Sequence, residues 1–536
     1  MVAESLGLVV TANRCSYDVD PTLRLHRFFT SWPKGILAVH IVFLSSEAVP
    51  FAKTGGLGDV CGALPAVLAA QGHQVSLIMP GFRSIRKSGV TIEPLDVWMT
   101  ASMEGRAVSA RLCHATIPAA GGQASPVNVY FIDQPSYYDR DGLYGEGGDY
   151  QDNCERFAFY NRAALQAISR VCPDVDIVHC NDWQSGLVPA YMAWNFEAHP
   201  WMDHARSVMT IHNLAYQGRF WHYDMPLTGL GWDRFDADGV EFYGDLNFLK
   251  AGIMLADAIT TVSPTYAEEI CTPLHGCGLD GVLRSRADCL TGITNGIDDA
   301  VWNPSTDPHL VHRYDETSWV SGKTGNKQSL QTEFGLMPNP GLPMIGLVGR
   351  LADQKGWDLI IEVMRWNLEE NRPVQWMVLG TGEARYHTAL QDFATQYPDR
   401  FGLRLGFSDA LAHRIEAGSD VFLMPSRYEP CGLNQLYSLR YGSVPIVTTT
   451  GGLVDTVTNV TAQSLANGSA TGFHIEKFTA SSIDASLGQA LTIRYHQPET
   501  WASIVRAGML TDSSWRQSGM QYEDVYAKTL SLDKNL

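Results

Sequence analysis

The strongest constraint on the fold is a rhythm. Short apolar, β-branched runs alternate with longer segments of helical pattern for most of the chain. The run "AVHIVFLS" leads into the helix-like "GDVCGALPAVLAAQG" and then into "QVSLIMP". "VDIVHCN", "RSVMTIHN", "DAITTVS" and "LTGITNG" continue the series. After a polar, proline-containing break between Asn303 and Pro343, it resumes with "MIGLVGR", "VQWMVLG", "LRLGFS", "DVFLMPS" and "VPIVTTT". Such alternation predicts parallel sheets covered by helices on both faces. A chain of 536 residues exceeds one ordinary core, so two doubly wound α/β domains are expected. Ligands of open parallel sheets sit beyond the carboxyl ends of the strands. The cleft between the two domains is therefore the expected site.

Charge narrows the partners. The chain carries 39 basic and 57 acidic residues, a formal net charge of −18. That balance argues against nucleic acid or an anionic membrane, both of which call for a basic surface. Local arginines and lysines still suffice for a small anionic substrate. The ten cysteines are scattered without a CxxC pair or zinc-ligand spacing, as in a reducing compartment. The longest apolar run, Ile36–Leu44, is too short to span a bilayer. The first 35 residues lack the apolar core of a secretion signal. A cytoplasmic protein with an N-terminal extension of unknown role, residues 1–36, is the expectation.

Three motifs come close to familiar signatures and fail. In "VPFAKTGGLGDVCGALP", Gly56 and Gly58 fit the first two places of a dinucleotide fingerprint, but the third falls on Cys61. The preceding strand also ends near Ser45, about ten residues too early for that turn. "SGKTGNK" (Ser321–Lys327) imitates a phosphate-binding loop, yet Thr317 occupies its leading glycine position, and it reads as a polar linker. "PSRYEP" contains no serine-hydrolase elbow. What remains is a set of polar residues at strand ends: Lys53 with Gly55, Gly56 and Gly58, then Asp182, His212, Asn213, Arg350, Lys355 and Glu429. Each alone is equally a surface charge, a turn glycine or a satisfied core residue. Their joint placement beyond strand ends points to one site.

These residues lie in stretches that resemble bacterial glycogen synthases and plant starch synthases, the retaining glucosyltransferases that use ADP-glucose. The matching segments include "SSEAVPFAKTGGLGDVCGALP", "DNCERFAFYNRAAL", "HCNDWQSGLVPAY", "TIHNLAYQGRF", "FLKAGIMLADAITTVSPTYAEEI", "NGIDDAVWNP", "GRLADQKGWDL", "PSRYEPCGLNQLYSLRYGSVPIV" and "TGGLVDTV". They follow family order over about residues 40–530. The resemblance implies the GT-B fold, two Rossmann-like doubly wound domains facing across a deep cleft. The implied division is 37–292 on the acceptor side, 293–509 on the nucleotide-sugar side, and a C-terminal helix, 510–536, crossing back to the first domain. Trp515, Tyr522 and Tyr526 recur at helical spacing in that last segment. The periodicity alone fits equally a helix docked on its own domain.

The resemblance also implies roles. Arg350, Lys355 and Lys53 supply positive charge to the diphosphate, and Glu429 holds the transferred glucose. Tyr437 stands where some retaining relatives carry a second glutamate, which favours front-face transfer over double displacement. His212 and Asn213 meet the donor glucose through hydrogen bonds. Gly55, Gly56, Cys431, Gly432, Leu433, Thr450, Gly451 and Gly452 complete the donor side with close-approaching main chain. Phe407 aligns with an adenine-stacking aromatic. Asp182, Trp183 and Asp59 fall on the acceptor side. Trp183 is as readily a core residue, and Asp59 suits the start of a helix. Cys431 reads as a shape constraint rather than a nucleophile. The implied substrates are ADP-glucose and an α-1,4-glucan such as glycogen or maltooligosaccharide, with no cofactor and no metal. A synthase making a semi-crystalline, starch-like glucan and a glucan-binding scaffold without turnover are the alternatives, and the failed fingerprint weighs against an oxidoreductase.

Overall fold

The computed structural model describes residues 38–122 and 124–532, so the extension 1–36 lies outside the described residues. Strands β1 (His40–Leu44), β2 (Gln74–Pro80), β3 (Glu93–Met103), β4 (Arg106–Ile117), β5 (Val127–Asp133), β6 (Ile177–Asn181) and β7 (Arg206–Ile211) begin the first sheet. Three short strands, β8 (Arg219–Phe220), β9 (Glu241–Phe242) and β10 (Asp245–Asn247), form a small antiparallel sheet of their own. Strands β11 (Ala258–Thr261) and β12 (Leu290–Gly292) then complete the first sheet, in the order β12-β11-β7-β6-β1-β2-β5-β4-β3. Its centre is parallel and its β5-β4-β3 edge antiparallel. The edge hairpin departs from the all-parallel expectation. β3 alternates exposed and covered residues, the mark of a sheet edge with one wet face.

The second sheet is wholly parallel. Strands β13 (Met344–Leu351), β14 (Gln375–Gly382), β15 (Phe401–Leu405), β16 (Val421–Met424), β17 (Val444–Thr448) and β18 (Phe473–Ile475) take the order β15-β14-β13-β16-β17-β18. Its central strands read as near-continuous apolar runs because helices cover both faces. Two Rossmann-like domains, each with its own core, result.

Several helices position the chemistry. They are α1 (Gly56–Ala70), α2 (Asn153–Val171), α3 (Pro264–Glu269), α4 (Trp319–Phe334), α5 (Asp409–Gly418), α6 (Asn434–Tyr441), α7 (Gly451–Thr456) and α8 (Trp515–Leu530). The crossing helix is α8. Its Trp515, Tyr522, Val525 and Tyr526 are buried in the core of the first domain, where Tyr526 Oη lies 2.8 Å from His179 Nδ1. His73 and Glu523 meet at 2.9 Å beside it.

One expectation fails outright. The stretch Ser321–Lys327 is not a polar linker but part of α4. Lys323 is buried, and its ammonium donates to the carbonyls of Glu416, Ala417 and Tyr441 at 3.0–3.1 Å. Those are terminal carbonyls of α5 and α6, so this lysine satisfies two helix ends at once. The stretch reads as polar from its composition; the partners of Lys323, 93, 94 and 118 residues away, are invisible locally. Among the described residues no helix is long and apolar enough to cross a membrane, and none of the described cysteines is in a disulfide.

Candidate active site

Every strand-end residue singled out from the sequence lies at or just beyond the carboxyl end of a parallel strand. The "KTGG" loop follows β1, Asp182 follows β6 and His212 follows β7; Arg350 is the penultimate residue of β13, with Phe407 after β15, Glu429 after β16 and Thr450 after β17. The two sets meet across the cleft. Tyr216 Oη of the first domain is 3.5 Å from Arg350 Nη1 of the second, and a side chain at Gly56 would meet Leu433 Cδ1 at 3.9 Å.

On the second domain, Lys355 Nζ donates to Glu429 Oε2 at 2.5 Å, and Ser426 Oγ donates to the same oxygen at 2.9 Å. Glu429 is 6% exposed. A carboxylate so buried requires a partner, and Lys355 supplies it. Arg350 is exposed and pairs with no carboxylate among the described residues; its Nη2 donates only to Gln354 Oε1 at 3.2 Å. Its fixed fork of donors is thus available to an anion. Phe407 is 83% exposed and offers an open ring face.

Cys431 is buried, and burial pushes its thiol up to about 12. It is therefore uncharged at neutral pH, as a shape constraint should be. The segment 429–432 packs against the start of α7 at glycine-only distances. A Cβ on Gly451, whose φ is +44°, would fall 2.0 Å from the Glu429 carbonyl, and one on Gly452 2.4 Å from that of Cys431. Gly432 takes φ +74°.

The Thr450–Gly452 amides do not face an open pocket as expected. Gly451 N–H and Thr450 Oγ–H donate to Glu269 Oε1 at 3.1 and 3.0 Å, and Gly452 N–H is taken by the carbonyls of Glu429 and Pro430. Glu269 belongs to α3 of the first domain, where Thr265 also donates to Asp455 Oδ1 at 2.7 Å. These contacts clasp the two domains. Glu269 was missed because nothing local distinguishes it from a surface glutamate.

On the first domain, the loop after β1 is organised by another unpredicted residue. Glu47, 3% exposed, accepts Thr54 N–H at 2.6 Å, Thr54 Oγ–H at 2.6 Å, Gly55 N–H at 3.2 Å and Tyr144 Oη–H at 2.8 Å. The amides following Lys53 are thus spent on Glu47, which corrects the expectation that they receive the donor. The glycine reasoning also changes. Gly56 and Gly58 lie in the first turn of α1, and only Gly58 is crowded, by Lys53 Cβ at 3.1 Å. At Gly55 nothing stands within 4 Å. Lys53 Nζ reaches Asp59 Oδ1 at 2.6 Å, so Asp59 is an ion-pair partner inside α1.

His212 is neutral: burial lowers it to about 3. The amide nitrogen of Asn181 donates to the carbonyls of Leu44 and His179, so its oxygen faces His212 and accepts Nε2–H at 2.9 Å. Asp182 has φ +54° and accepts His212 N–H at 2.8 Å, and burial raises it to about 7. Asp182 therefore shapes the β7 exit rather than presenting an open carboxylate to an acceptor. Asn213 Oδ1 accepts Ala215 N–H at 3.1 Å and turns the chain after His212. Trp183 is a core residue, 8% exposed, packed on Phe157 at 4.7 Å and Phe220 at 5.7 Å. Those contacts match the core reading of Trp183 and leave little of its surface open.

Residues 40–285 match the starch synthase catalytic domain, and residues 332–506 match glycosyl transferases group 1. The chain is 50% identical over 501 residues to a glycogen synthase of Rhodopirellula baltica, covering 92% of this chain and 99% of that one. It is 44% identical over 495 residues to a glycogen synthase of Syntrophotalea carbinolica, with coverage of 92% and 99%. Among solved structures, the catalytic domain of starch synthase IV from Arabidopsis thaliana, bound to ADP and acarbose, superimposes with a TM-score of 0.85. It shares 32% identity, and the match covers 92% of this chain and all of that one. Sucrose-phosphate synthase from Thermosynechococcus elongatus, at 15% identity and a TM-score of 0.56, shares the fold. With strand-end cations, a buried glutamate and a glycine-bounded cleft in place, the chain belongs to the glycogen synthase family.

Proposed function

We propose that this chain transfers glucose from ADP-glucose to the non-reducing end of an α-1,4-glucan with retention of configuration, using the cleft described above. The carrying observation is the Lys355–Glu429 pair beside an uncommitted Arg350, all at the carboxyl ends of second-domain strands. In the transfer, the bond from glucose C1 to the β-phosphate oxygen breaks and a bond from C1 to the acceptor hydroxyl oxygen forms. The acceptor proton passes to the departing phosphate on the same face. Negative charge grows on that phosphate, and Arg350 and Lys355 stabilise it from fixed positions; Glu429 and His212 hold the glucose hydroxyls. Lys53 adds charge from the opposite wall, and Phe407 stacks the adenine. Neutral His212 suits a hydrogen-bonding role and not a cationic one. The working division into functional units is 37–292, 293–509 and 510–536.

The test is ADP release from ADP-glucose with glycogen as acceptor, run beside UDP- and GDP-glucose, with chelator present. ADP release dependent on glycogen supports the reading; none, from folded protein, leaves a glucan-binding scaffold. Glu429→Ala is expected to keep the fold and lose most turnover.

A further inference from the structure

Away from the catalytic residues, the connection that follows β12 meets α5 around Asp307. This buried carboxylate organises two histidines. Its Oδ1 accepts His309 N–H at 2.8 Å, and its Oδ2 accepts His413 Nδ1–H at 2.7 Å and Tyr441 Oη–H at 2.5 Å. With a carboxylate oxygen accepting at Nδ1, the His413 proton sits there and Nε2 carries a lone pair.

That Nε2 is the anomaly. It is buried, on a residue 1% exposed, with no hydrogen-bond partner among the described residues. Asp409 Oδ2 stands 3.9 Å away, too far for a hydrogen bond. The His413 ring cannot turn to find another partner, because Trp302 stacks on it at 3.8 Å and 10°, and Trp302 stacks in turn with Tyr437 at 3.6 Å. The His309 ring approaches edge-on, 5.0 Å between centroids. One donor atom each from His309, Asp409 and His413 lies within 4.8 Å of the others.

We propose that His309, Asp409 and His413 form a binding site for a borderline divalent transition-metal cation, Zn²⁺ in the first instance, with a fourth position open to water. A buried imidazole whose second nitrogen is fixed by a carboxylate is the arrangement in which histidine ligates metal. Two imidazoles and a carboxylate favour Zn²⁺ over Mg²⁺ or Ca²⁺, which take oxygen ligands. His413 is the rigid ligand. His309 and Asp409 are exposed, so their side chains can close the remaining distance to bonds of about 2.0–2.2 Å. The ion ties the 303–314 connection to the first turn of α5. No residue assigned to glucosyl transfer is a ligand.

The test uses the full chain stripped with chelator, then titrated calorimetrically with Zn²⁺ and followed by visible absorption with Co²⁺. The native protein is expected to bind one equivalent more Zn²⁺ than His309→Ala or Asp409→Asn, or to bind it more than about tenfold tighter. The Co²⁺ bands are expected to weaken in both variants, and excess Mg²⁺ not to compete. Both substitutions are at exposed side chains, and circular dichroism checks their fold. Equal stoichiometry, affinity and Co²⁺ spectra in folded native and variant proteins overturn the proposal.

Discussion

Replacing Glu47 by alanine tests whether the loop after β1 works because it is held in advance. The carboxylate receives two main-chain N–H groups, at 2.6 and 3.2 Å, and two hydroxyls. Hydrogen bonds to a charged acceptor contribute about 1.5–3 kcal/mol each when well formed. Thr54 and Gly55 are exposed, so water recovers part of that. Taking about 2 kcal/mol for the short amide bond and about 1 for the long one gives about 3 kcal/mol lost from the ordered loop. If Lys53 must be in place in the transition state, that loss appears in kcat/KM as about 100-fold. Glu47→Gln is the control, since its oxygen can face the amides and its NH₂ the two hydroxyls; it is expected to stay within about tenfold of native. The assay is initial-rate ADP release at varied ADP-glucose with saturating maltooligosaccharide, on proteins matched by circular dichroism. A folded Glu47→Ala with kcat/KM within about threefold of native refutes the reasoning, because the loop would then need no anchor.

Lys355→Ala is expected to lower kcat/KM by about 2–4 kcal/mol, about 30- to 1,000-fold, through loss of charge at the leaving group; single-turnover rates check it. Cys431→Ala is expected to retain activity within about tenfold, because the buried thiol is uncharged and only its volume matters; a complete loss in folded protein contradicts this. Asp182 rises from 3.8 unfolded to about 7 folded, so the folded chain keeps a proton that the unfolded chain releases. Its contribution to stability is full below about pH 4 and is lost as pH climbs to about 7. Asp182→Asn should flatten that part of the curve in urea melts at pH 5 and 7, and an unchanged slope would count against the assignment.

The residues legible in the sequence share one property: their meaning is local. Arg350, Lys355, His212 and Glu429 stand just beyond apolar runs, and a strand end is visible in one dimension. The β5-β4-β3 edge was harder, because polar residues on its wet face interrupt the continuous apolar run that marks the central strands. Glu47, Asn181 and Glu269 were not legible at all. Each is a polar residue whose job is to accept or donate to main chain elsewhere, and no pattern of spacing announces a partner brought by the fold. Lys323 was misread, and Trp183 stayed open between core and site, for the same reason in reverse. A tryptophan beside a candidate site and a lysine in a polar tract both look available until the packing that surrounds them is known.

The crossing helix carries a consequence for how the protein is made. Trp515, Tyr522, Val525 and Tyr526 are needed to close the core built on the first sheet, yet they are translated after the whole second domain. Domains ordinarily fold as they emerge, the amino-terminal one first. Here the first domain waits with His179 and the α1 surface uncovered until the whole second domain has left the ribosome. Neither half is finished alone, so an early stop or a bulky fusion after Leu530 strikes the opposite end of the molecule from where it is written.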